Sequence, residues 1–350
     1  MSQAPRKILV IAMRYLGDVL LTTPLIHSLR IAYPEAQIDM LVYSNTTAML
    51  EGNPDINHLI TVPNKAKFAD NWRLFRQLGR AYDLAITTQA GDRPFLYSLF
   101  ASSKRLGVVL PKPQTGWWKR FFLYRWLEFD DDNTHTVLQH LKILRLINVP
   151  PSFALVPPQT NLQPAIPQQK YAVLHTHPQW TYKQWTVAGW LEVGRYLQQR
   201  GIKLVLTGGA AQAELDYVAA LADQLPDSIN MAGCLSLAQM TALLANAVLY
   251  IGVDTGITHL AAATNVPVLA LYGPTNPVKW APWPYGFAEN CNPFAKVGNQ
   301  TVANIYLLQG EGACVPCHLE GCDKHQASRS ACLDAISFAR VKATVDSILA

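Results

Sequence analysis

The sequence predicts an α/β protein with two parallel-sheet domains in tandem. Apolar, strand-like runs alternate with helix-like segments in both halves of the chain, and a proline-rich stretch separates the halves. At 350 residues the chain is longer than one typical core, which agrees with two domains. Half of the residues are hydrophobic and only 15% are charged, so each domain can bury a core.

The first half contains four predicted strands with helices between them. The strands are Lys7–Met13, Ile38–Tyr43, Ile56–Val62 and Asp83–Thr88. The helices are Val19–Ile31 and the amphipathic segment Trp72–Tyr82. This alternation is typical of a parallel sheet covered by helices.

A proline-rich segment predicts the hinge between the domains. Six prolines lie between Pro150 and Pro167, and no amphipathic period survives there. We therefore expect a first domain at 1–160 and a second at 161–330. A C-terminal helix at 331–350 is expected to pack back on the first domain.

The alternation of strands and helices restarts after the hinge. The predicted strands are Tyr171–His175, Ile202–Gly209, Asn246–Gly256 and Val266–Thr275, and the helices are Val187–Gln199, Ala211–Leu225 and Leu237–Ala245. Ligands of open α/β sheets bind beyond the carboxyl ends of the strands. Two such domains facing each other would form a cleft, with one ligand on each side.

The segment "GVDTGITHLAAA" (Gly252–Ala263) is the most informative turn of the second half. Asp254 and Thr255 end a strand, and the unpaired N–H groups of the following helix suit a phosphate that His259 could also reach. Alternatively, Asp254 and Thr255 are only helix caps. Small, donor-rich turns at other strand ends, "TGG" (Thr207–Gly209) and "YGPT" (Tyr272–Thr275), favour the ligand site.

Two charged residues near these turns have open interpretations. Lys183 precedes a predicted helix, where its ammonium could meet a diphosphate or could simply be solvated. Glu214 could accept hydrogen bonds from sugar hydroxyls, or could be an ordinary carboxylate in the first turn of a helix.

The first strand leads into "RYLGD", which is poorly suited to a nucleotide. A dinucleotide site needs three glycines, whereas this turn has only Gly17, and an ionised Asp18 would repel an anion. Asp18 is therefore either an N-cap or a base. As a base it would take a proton from an attacking hydroxyl while the other domain holds a diphosphate leaving group.

The net charge of +5 resides in the first half of the chain. In Lys112–Trp126 cations alternate with aromatics, which suits either an amphipathic helix with a buried ring face or a surface for anionic lipid or a phosphorylated acceptor. Nucleic acid is disfavoured because no recognised binding motif accompanies the patch. "MSQAPRK" is followed by too short an apolar run for a membrane span or a signal peptide, so we expect a cytoplasmic protein.

Four clustered cysteines predict a structural zinc or iron site, with free thiols and then disulfides as the alternatives. They are Cys314, Cys317, Cys322 and Cys332. The isolated Cys234 and Cys291 are expected to be ordinary buried thiols. We expect no catalytic role for the cluster, because it follows the predicted ligand turns.

Two long motifs resemble the heptosyltransferases of glycosyltransferase family 9. They are "KILVIAMRYLGDVLLTTPLIHSLRIAYPEAQIDMLVY" and "GVDTGITHLAAATNVPVLALYGPTNP". The resemblance covers essentially the whole chain and implies the GT-B fold, with two Rossmann-like, doubly wound parallel-sheet domains facing across a cleft. The motifs "RYLGDVLLTTP", "NPDINHLI" and "CVPCHLEGCDKHQASRSACL" resemble the subgroup that adds a side-branch heptose to lipopolysaccharide.

The resemblance implies an inverting, metal-independent transfer with no required cofactor. It implies an ADP-heptose donor on the second domain, a lipopolysaccharide inner-core acceptor on the first, and peripheral contact with the cytoplasmic face of the inner membrane. Asp18 corresponds to the general base. The implied donor contacts are Lys183, Thr176, His177, Thr207, Gly208, Gly209, Glu214, Asp254, Thr255, Gly256, His259, Pro274 and Thr275. The implied acceptor contacts are Arg14, Gly17, Arg93, Lys119 and Arg120.

Three other functions stay open from the residues. Another nucleotide-sugar GT-B transferase would share these turns. A nicotinamide-dependent oxidoreductase would need the missing glycines. A non-catalytic, two-lobed sugar-binding protein would be expected to carry a secretion signal. Asp130–Asp132 offer no convincing metal-binding DxD motif, and we expect them to be a solvated cap.

Overall fold

The computed structural model describes residues 4–111, 116–162, 164 and 167–350. The chain divides into two compact units. The first unit runs to Pro158 and includes Ala288–Cys291, and the second consists of Gln159–Phe287 and Asn292–Ala350. Among the described residues, no helix combines the length and apolarity needed to cross a membrane.

The first unit is built on a six-stranded parallel sheet with the order β3-β2-β1-β4-β5-β6. Its strands are β1 (Lys7–Ile11), β2 (Gln37–Tyr43), β3 (His58–Val62), β4 (Leu84–Thr87), β5 (Arg105–Val109) and β6 (Arg125–Glu128). The central strands are almost wholly buried because helices cover them, as expected for parallel sheets.

Five α-helices are present among the described residues of the first unit. They are α1 (Leu16–Leu20), α2 (Thr23–Ala32), α3 (Phe68–Leu78), α4 (Asp92–Ala101) and α5 (Thr136–Lys142). The single helix predicted at Val19–Ile31 is interrupted between α1 and α2. Pro24 lies in the first turn of α2, where its missing N–H does no harm, whereas inside one continuous helix it would break a hydrogen bond.

The helix suggested for Lys112–Trp126 does not form in the described part of that segment. A 3₁₀ turn, Trp117–Phe121, is followed by β6, and residues 112–115 lie outside the described residues. Leu123 packs with Phe95 and Val109 in a small apolar cluster. Most of the other aromatic side chains here are exposed, so they do not form the buried face of an amphipathic helix.

The second unit is built on a seven-stranded sheet with the order β12-β13-β11-β10-β7-β8-β9. Its strands are β7 (Tyr171–His175), β8 (Lys203–Thr207), β9 (Ile229–Asn230), β10 (Leu249–Val253), β11 (Val268–Tyr272), β12 (Gln300–Val302) and β13 (Ile305–Gln309). Only β12 is antiparallel to its neighbour. Because β7, β10 and β11 are parallel, their carboxyl ends lie at the same edge of the sheet.

The described residues of this unit form seven α-helices: α6 (Val187–Gln199), α7 (Gln212–Ala222), α8 (Leu237–Ala245), α9 (Gly256–Ala262), α10 (Pro277–Trp280), α11 (Ala331–Asp334) and α12 (Phe338–Ile348). Val341 and Val345 of α12 lie in the core of the second unit, and Phe338 packs on Tyr196 of α6. The C-terminal helix thus belongs to the second unit, and its expected packing on the first domain stays a prediction.

Candidate functional site

The strongest polar contact at the edge of the second sheet joins Lys183 to Asp254. Asp254 directly follows β10, and Lys183 ends a 3₁₀ turn in the loop after β7. The Lys183 ammonium lies 2.6 Å from Asp254 Oδ2, to which the Thr275 hydroxyl also donates at 2.7 Å. Three neighbouring strands thus bring together residues that are far apart in sequence.

This ion pair is largely withdrawn from solvent. The Lys183 side chain is 16% exposed and that of Asp254 8%. Burial alone would raise the pKa of the Asp254 carboxyl, but Lys183, followed by His259 and the Thr275 hydroxyl, together lower the pKa below its usual value. Lys183 is therefore not a solvated surface lysine, and the Asp254 carboxylate binds the lysine instead of capping a helix.

Two aromatic rings flank the ammonium of Lys183. Its Nζ lies 5.3 Å from the centre of the Trp180 ring and 5.8 Å from that of Tyr182. The two rings are stacked, with centroids 5.9 Å apart. Because ring faces attract cations, they help to hold Lys183 in place.

Two buried polar atoms in the segments that follow β7 and β10 lack a hydrogen-bond partner among the described residues. They are Nδ1 of His259 and Oγ1 of Thr176. Burial, and then the charge of Lys183, lower the pKa of His259 to about 4 against the opposing effect of Asp254, so its imidazole is neutral at pH 7. Since buried polar groups are normally paired, these two atoms mark places where a ligand could bind.

The other residues of the predicted donor turns have mainly supporting contacts. Thr255 caps α9, which has seven residues and starts at Gly256. The Pro274 carbonyl accepts a hydrogen bond from the His318 N–H at 3.0 Å.

The "TGG" turn packs against Glu214. A Cβ placed on Gly209 would lie 2.8 Å from Glu214 Oε2, and Gly208 is also in close contact with that side chain. Thr207 is fully buried, with its hydroxyl 3.1 Å from His175 Nδ1, and His177 packs edge-on against Tyr217. The glycines therefore let a carboxylate approach the carboxyl end of β8.

Asp18 follows β1 in the first unit. It lies in the first turn of α1, whose N-cap is Tyr15, so Asp18 is not the cap of this helix. Arg14 Nε lies 3.1 Å from Asp18 Oδ1, and the carboxylate side chain is 12% exposed. Gly17 beside it is buried. The carboxylate is thus held by a guanidinium at the sheet edge where ligands of such folds bind.

Arg93 and Lys119 are engaged by neighbouring loops of the first unit. The Arg93 guanidinium donates to the carbonyls of Asn64 and Pro63, and the Lys119 ammonium lies 2.7 Å from Asp92. Arg120 lies over the Trp126 ring, and its buried Nε has no hydrogen-bond partner among the described residues. A role of these cations in acceptor binding stays a prediction.

Comparison with known proteins decides the family. The family model described as glycosyltransferase family 9 (heptosyltransferase) matches residues 71–301. The chain belongs to glycosyltransferase family 9. Within this family it is 31% identical to lipopolysaccharide heptosyltransferase 3 of Escherichia coli over 290 residues, which covers 77% of this chain and 84% of the relative.

Solved structures of family 9 transferases share the fold. A family 9 glycosyltransferase from Veillonella parvula superposes with a TM-score of 0.76 at 19% identity, covering 98% of this chain and 97% of that one. The ADP-heptose heptosyltransferase II of E. coli superposes with a TM-score of 0.74 at 21% identity, covering 98% of each chain. This family 9 enzyme therefore has the GT-B fold.

The structure does not support the predicted metal site of this glycosyltransferase. In the part of the chain that the structure describes, no group of three or more His, Cys, Asp or Glu side chains is arranged to hold a metal ion. All six cysteines are free thiols, and Cys234 and Cys291 are exposed instead of buried. Cys332 is buried beside Gly273, and burial, with smaller effects of the three other thiols of the cluster, raises the pKa of its thiol to about 11.

The hydrogen bonds that hold the Lys183 loop of this transferase in place could not be predicted from the sequence. The Ser330 hydroxyl donates to the Tyr182 carbonyl at 2.6 Å, and Arg329 donates to the Gln184 carbonyl at 3.3 Å. Both residues come from the cysteine-rich segment, which attracted attention only for its thiols. The segment thus fixes the backbone on both sides of Lys183.

Proposed function

We propose that this chain transfers a heptose from ADP-L-glycero-D-manno-heptose to the inner core of lipopolysaccharide. The transferred sugar becomes the side-branch third heptose. The proposal is supported by the 31% identity to a relative named lipopolysaccharide heptosyltransferase 3. The observation that carries it is the buried Lys183–Asp254 pair with His259 beside it. Family resemblance assigns these same positions to the donor diphosphate.

In this proposal Lys183 binds the donor diphosphate. Its charge stabilises the ADP leaving group as the glycosidic bond breaks, which is the electrostatic role that a bound cation fills in other transferases. The unpaired atoms of Thr176 and His259 provide further polar contacts. Asp254 carries a negative charge and would repel a phosphate, so we assign to it the positioning of Lys183.

Asp18 acts as the general base on the first unit. It accepts the proton of an acceptor hydroxyl while the hydroxyl oxygen attacks C1 of the heptose. The bond between C1 and the phosphate oxygen breaks, and ADP leaves with the bonding electrons. One displacement inverts the anomeric centre. A positioned base of this kind contributes roughly 10²–10⁴-fold to the rate.

A lipid-anchored acceptor places the reaction at the cytoplasmic face of the inner membrane. The proposal includes peripheral contact of the first unit with that membrane, supported by the basic excess in the first half of the chain. It requires neither nucleic acid nor a cofactor.

A donor screen tests the proposal. Purified protein is incubated with a truncated core lipopolysaccharide and a panel of nucleotide sugars, and the acceptor is analysed by mass spectrometry. The proposal predicts the gain of one heptose from ADP-heptose. Transfer of a different sugar would identify another GT-B transferase, and binding of the donor without transfer to any acceptor would identify a non-catalytic sugar-binding protein.

A further inference from the structure

An exposed face of the first unit combines aromatic and basic side chains. In α3 the Phe68 side chain is 83% exposed and that of Trp72 is 57% exposed. The two rings are stacked one helical turn apart, with centroids separated by 6.4 Å. Rings of this size are seldom left in water on the solvent side of a helix unless something covers them.

The same stretch of chain carries a strong excess of positive charge. From residue 65 to residue 80 there are five Lys or Arg and one carboxylate, Asp70. The five cations, Lys65, Lys67, Arg73, Arg76 and Arg80, are all exposed. The Asp70 carboxylate accepts a hydrogen bond from the backbone N–H of Lys67, the N-cap residue of α3.

Further exposed rings continue this surface beyond α3. Phe75 of α3 contacts Phe100 of α4, with ring centroids 4.1 Å apart, and Phe100 is itself largely exposed. The Phe100 carbonyl accepts from the Arg80 N–H, and Arg105 Nε donates to the Phe122 carbonyl at 2.8 Å. Phe121 and Phe122 are exposed as well. We call this set of α3, α4 and residues 118–124 the aromatic–basic face.

We propose that the aromatic–basic face docks on an anionic phospholipid bilayer, with the rings of Phe68 and Trp72 inserted at the headgroup level. Aromatic side chains favour the membrane interface, and Lys or Arg beside them attract acidic headgroups. An apolar protein partner would match the rings but leave five cations without counter-charge. A second copy of the same face would bring these cations against each other.

The position of α3 suits a lipid-anchored acceptor. Phe68 begins α3 shortly after the carboxyl end of β3, and Asp18 follows the carboxyl end of β1. Because both strands belong to one parallel sheet, the two residues lie toward the same sheet edge. This inference rests on the proposed function for the membrane contact that it localises, but the vesicle assay needs neither donor nor acceptor.

Vesicle sedimentation tests the docking. The full-length protein is mixed with vesicles of phosphatidylcholine alone or with phosphatidylglycerol, without lipopolysaccharide or donor. We expect binding only to the anionic vesicles, weakened by salt. The double variant Arg73→Ala/Arg76→Ala removes two cations, and each contributes about 1 kcal/mol to binding at an anionic surface. Its partition coefficient onto the anionic vesicles should therefore fall about thirtyfold. Phe68→Ser/Trp72→Ser should also reduce binding, whereas Leu162→Ser, at a side chain 71% exposed in the second unit, should not.

Several results would overturn the docking proposal. One is failure of the wild-type protein to sediment with anionic vesicles, and another is equal binding by Phe68→Ser/Trp72→Ser and Leu162→Ser. A third is a wild-type dimer that becomes a monomer in Phe68→Ser/Trp72→Ser, which would identify the face as a contact between copies. Transfer to a water-soluble, deacylated acceptor is measured separately. If the wild-type protein transfers no heptose to this acceptor, the proposed function is contradicted, whereas the vesicle-binding result is unaffected.

Discussion

Lys183 and Asp254 form a buried ion pair, 2.6 Å from Nζ to Oδ2, at the carboxyl edge of the second sheet. The contact spans 71 positions of the sequence. It gives the second unit a fixed positive charge where the family 9 resemblance assigns the donor diphosphate. The carboxylate holds the lysine side chain in place at this edge of the sheet.

Lys183→Met should weaken the binding of ADP by at least about tenfold, because a charge-assisted contact to phosphate is lost. Isothermal titration calorimetry with the purified protein measures this affinity. The exposed Lys170 provides a matched control, and Lys170→Met should bind ADP as the wild type does. Unchanged ADP affinity in Lys183→Met would exclude a phosphate contact of this lysine.

Asp254→Ala should lower the affinity for ADP because Lys183 is no longer held in position. We expect no direct contact between Asp254 and ADP to be lost. The double variant Lys183→Met/Asp254→Ala should therefore bind ADP no more weakly than Lys183→Met. Fully additive losses of binding free energy in this double-mutant cycle would show instead that Asp254 contacts the donor independently. The thermal unfolding of each variant should be measured as well, because a charge left unpaired in a buried site lowers the free energy of unfolding by about 3–5 kcal/mol.

Gly209→Ala should displace Glu214, since the new Cβ would lie 2.8 Å from its Oε2. The clash is with the end of a flexible side chain, so we expect little change in melting temperature but weaker donor binding. Gly91→Ala is the matched control, because its Cβ would meet only ordinary contacts at 3.5 Å. Unchanged donor affinity in Gly209→Ala would argue against a donor contact of Glu214.

Acid should destabilise the second unit through His175 and His259. Burial lowers the pKa of each from 6.5 to about 4 in the folded protein. Between these values the unfolded chain binds more protons, so the free energy of unfolding falls as the pH falls through this window. Each unit of pKa difference corresponds to about 1.4 kcal/mol.

Urea unfolding at pH 7 and at pH 5 measures this effect. His175→Asn and His259→Asn should each reduce the loss of stability between the two pH values. His325→Asn, at an exposed position, should leave it unchanged. Equal pH dependence in all three variants and the wild type would show that neither buried histidine causes it.

Elements with continuous apolar runs or clear helical periods could be predicted closely. The bounds predicted for Tyr171–His175, Val187–Gln199 and Leu237–Ala245 agree with β7, α6 and α8. The short β6, the edge strand β12 and its neighbour β13 were missed, because they are held by neighbours in the sheet and have no strong period of their own.

The candidate site was only partly accessible from the sequence. Turn chemistry predicted a phosphate site at the Asp254 turn, and the family resemblance added Lys183 to it. Neither predicted that Lys183 and Asp254 contact each other, which depends on the pairing of β7 with β10. The cap interpretation of Asp18 is wrong, because α1 begins one turn earlier than expected. The cysteine spacing suggested a metal, whereas no three metal-ligating side chains in the described part of the chain are arranged to hold one, and spacing alone cannot reveal such an arrangement.

Asp18 as general base is the central claim about the reaction, and the turnover of Asp18→Asn tests it most directly. The variant is assayed with ADP-heptose and truncated core lipopolysaccharide, beside Glu51→Gln as an exposed carboxylate control in the same unit. We predict that Asp18→Asn folds and binds ADP as the wild type does but transfers heptose at least about 100-fold more slowly. A turnover close to that of Glu51→Gln would contradict the assignment.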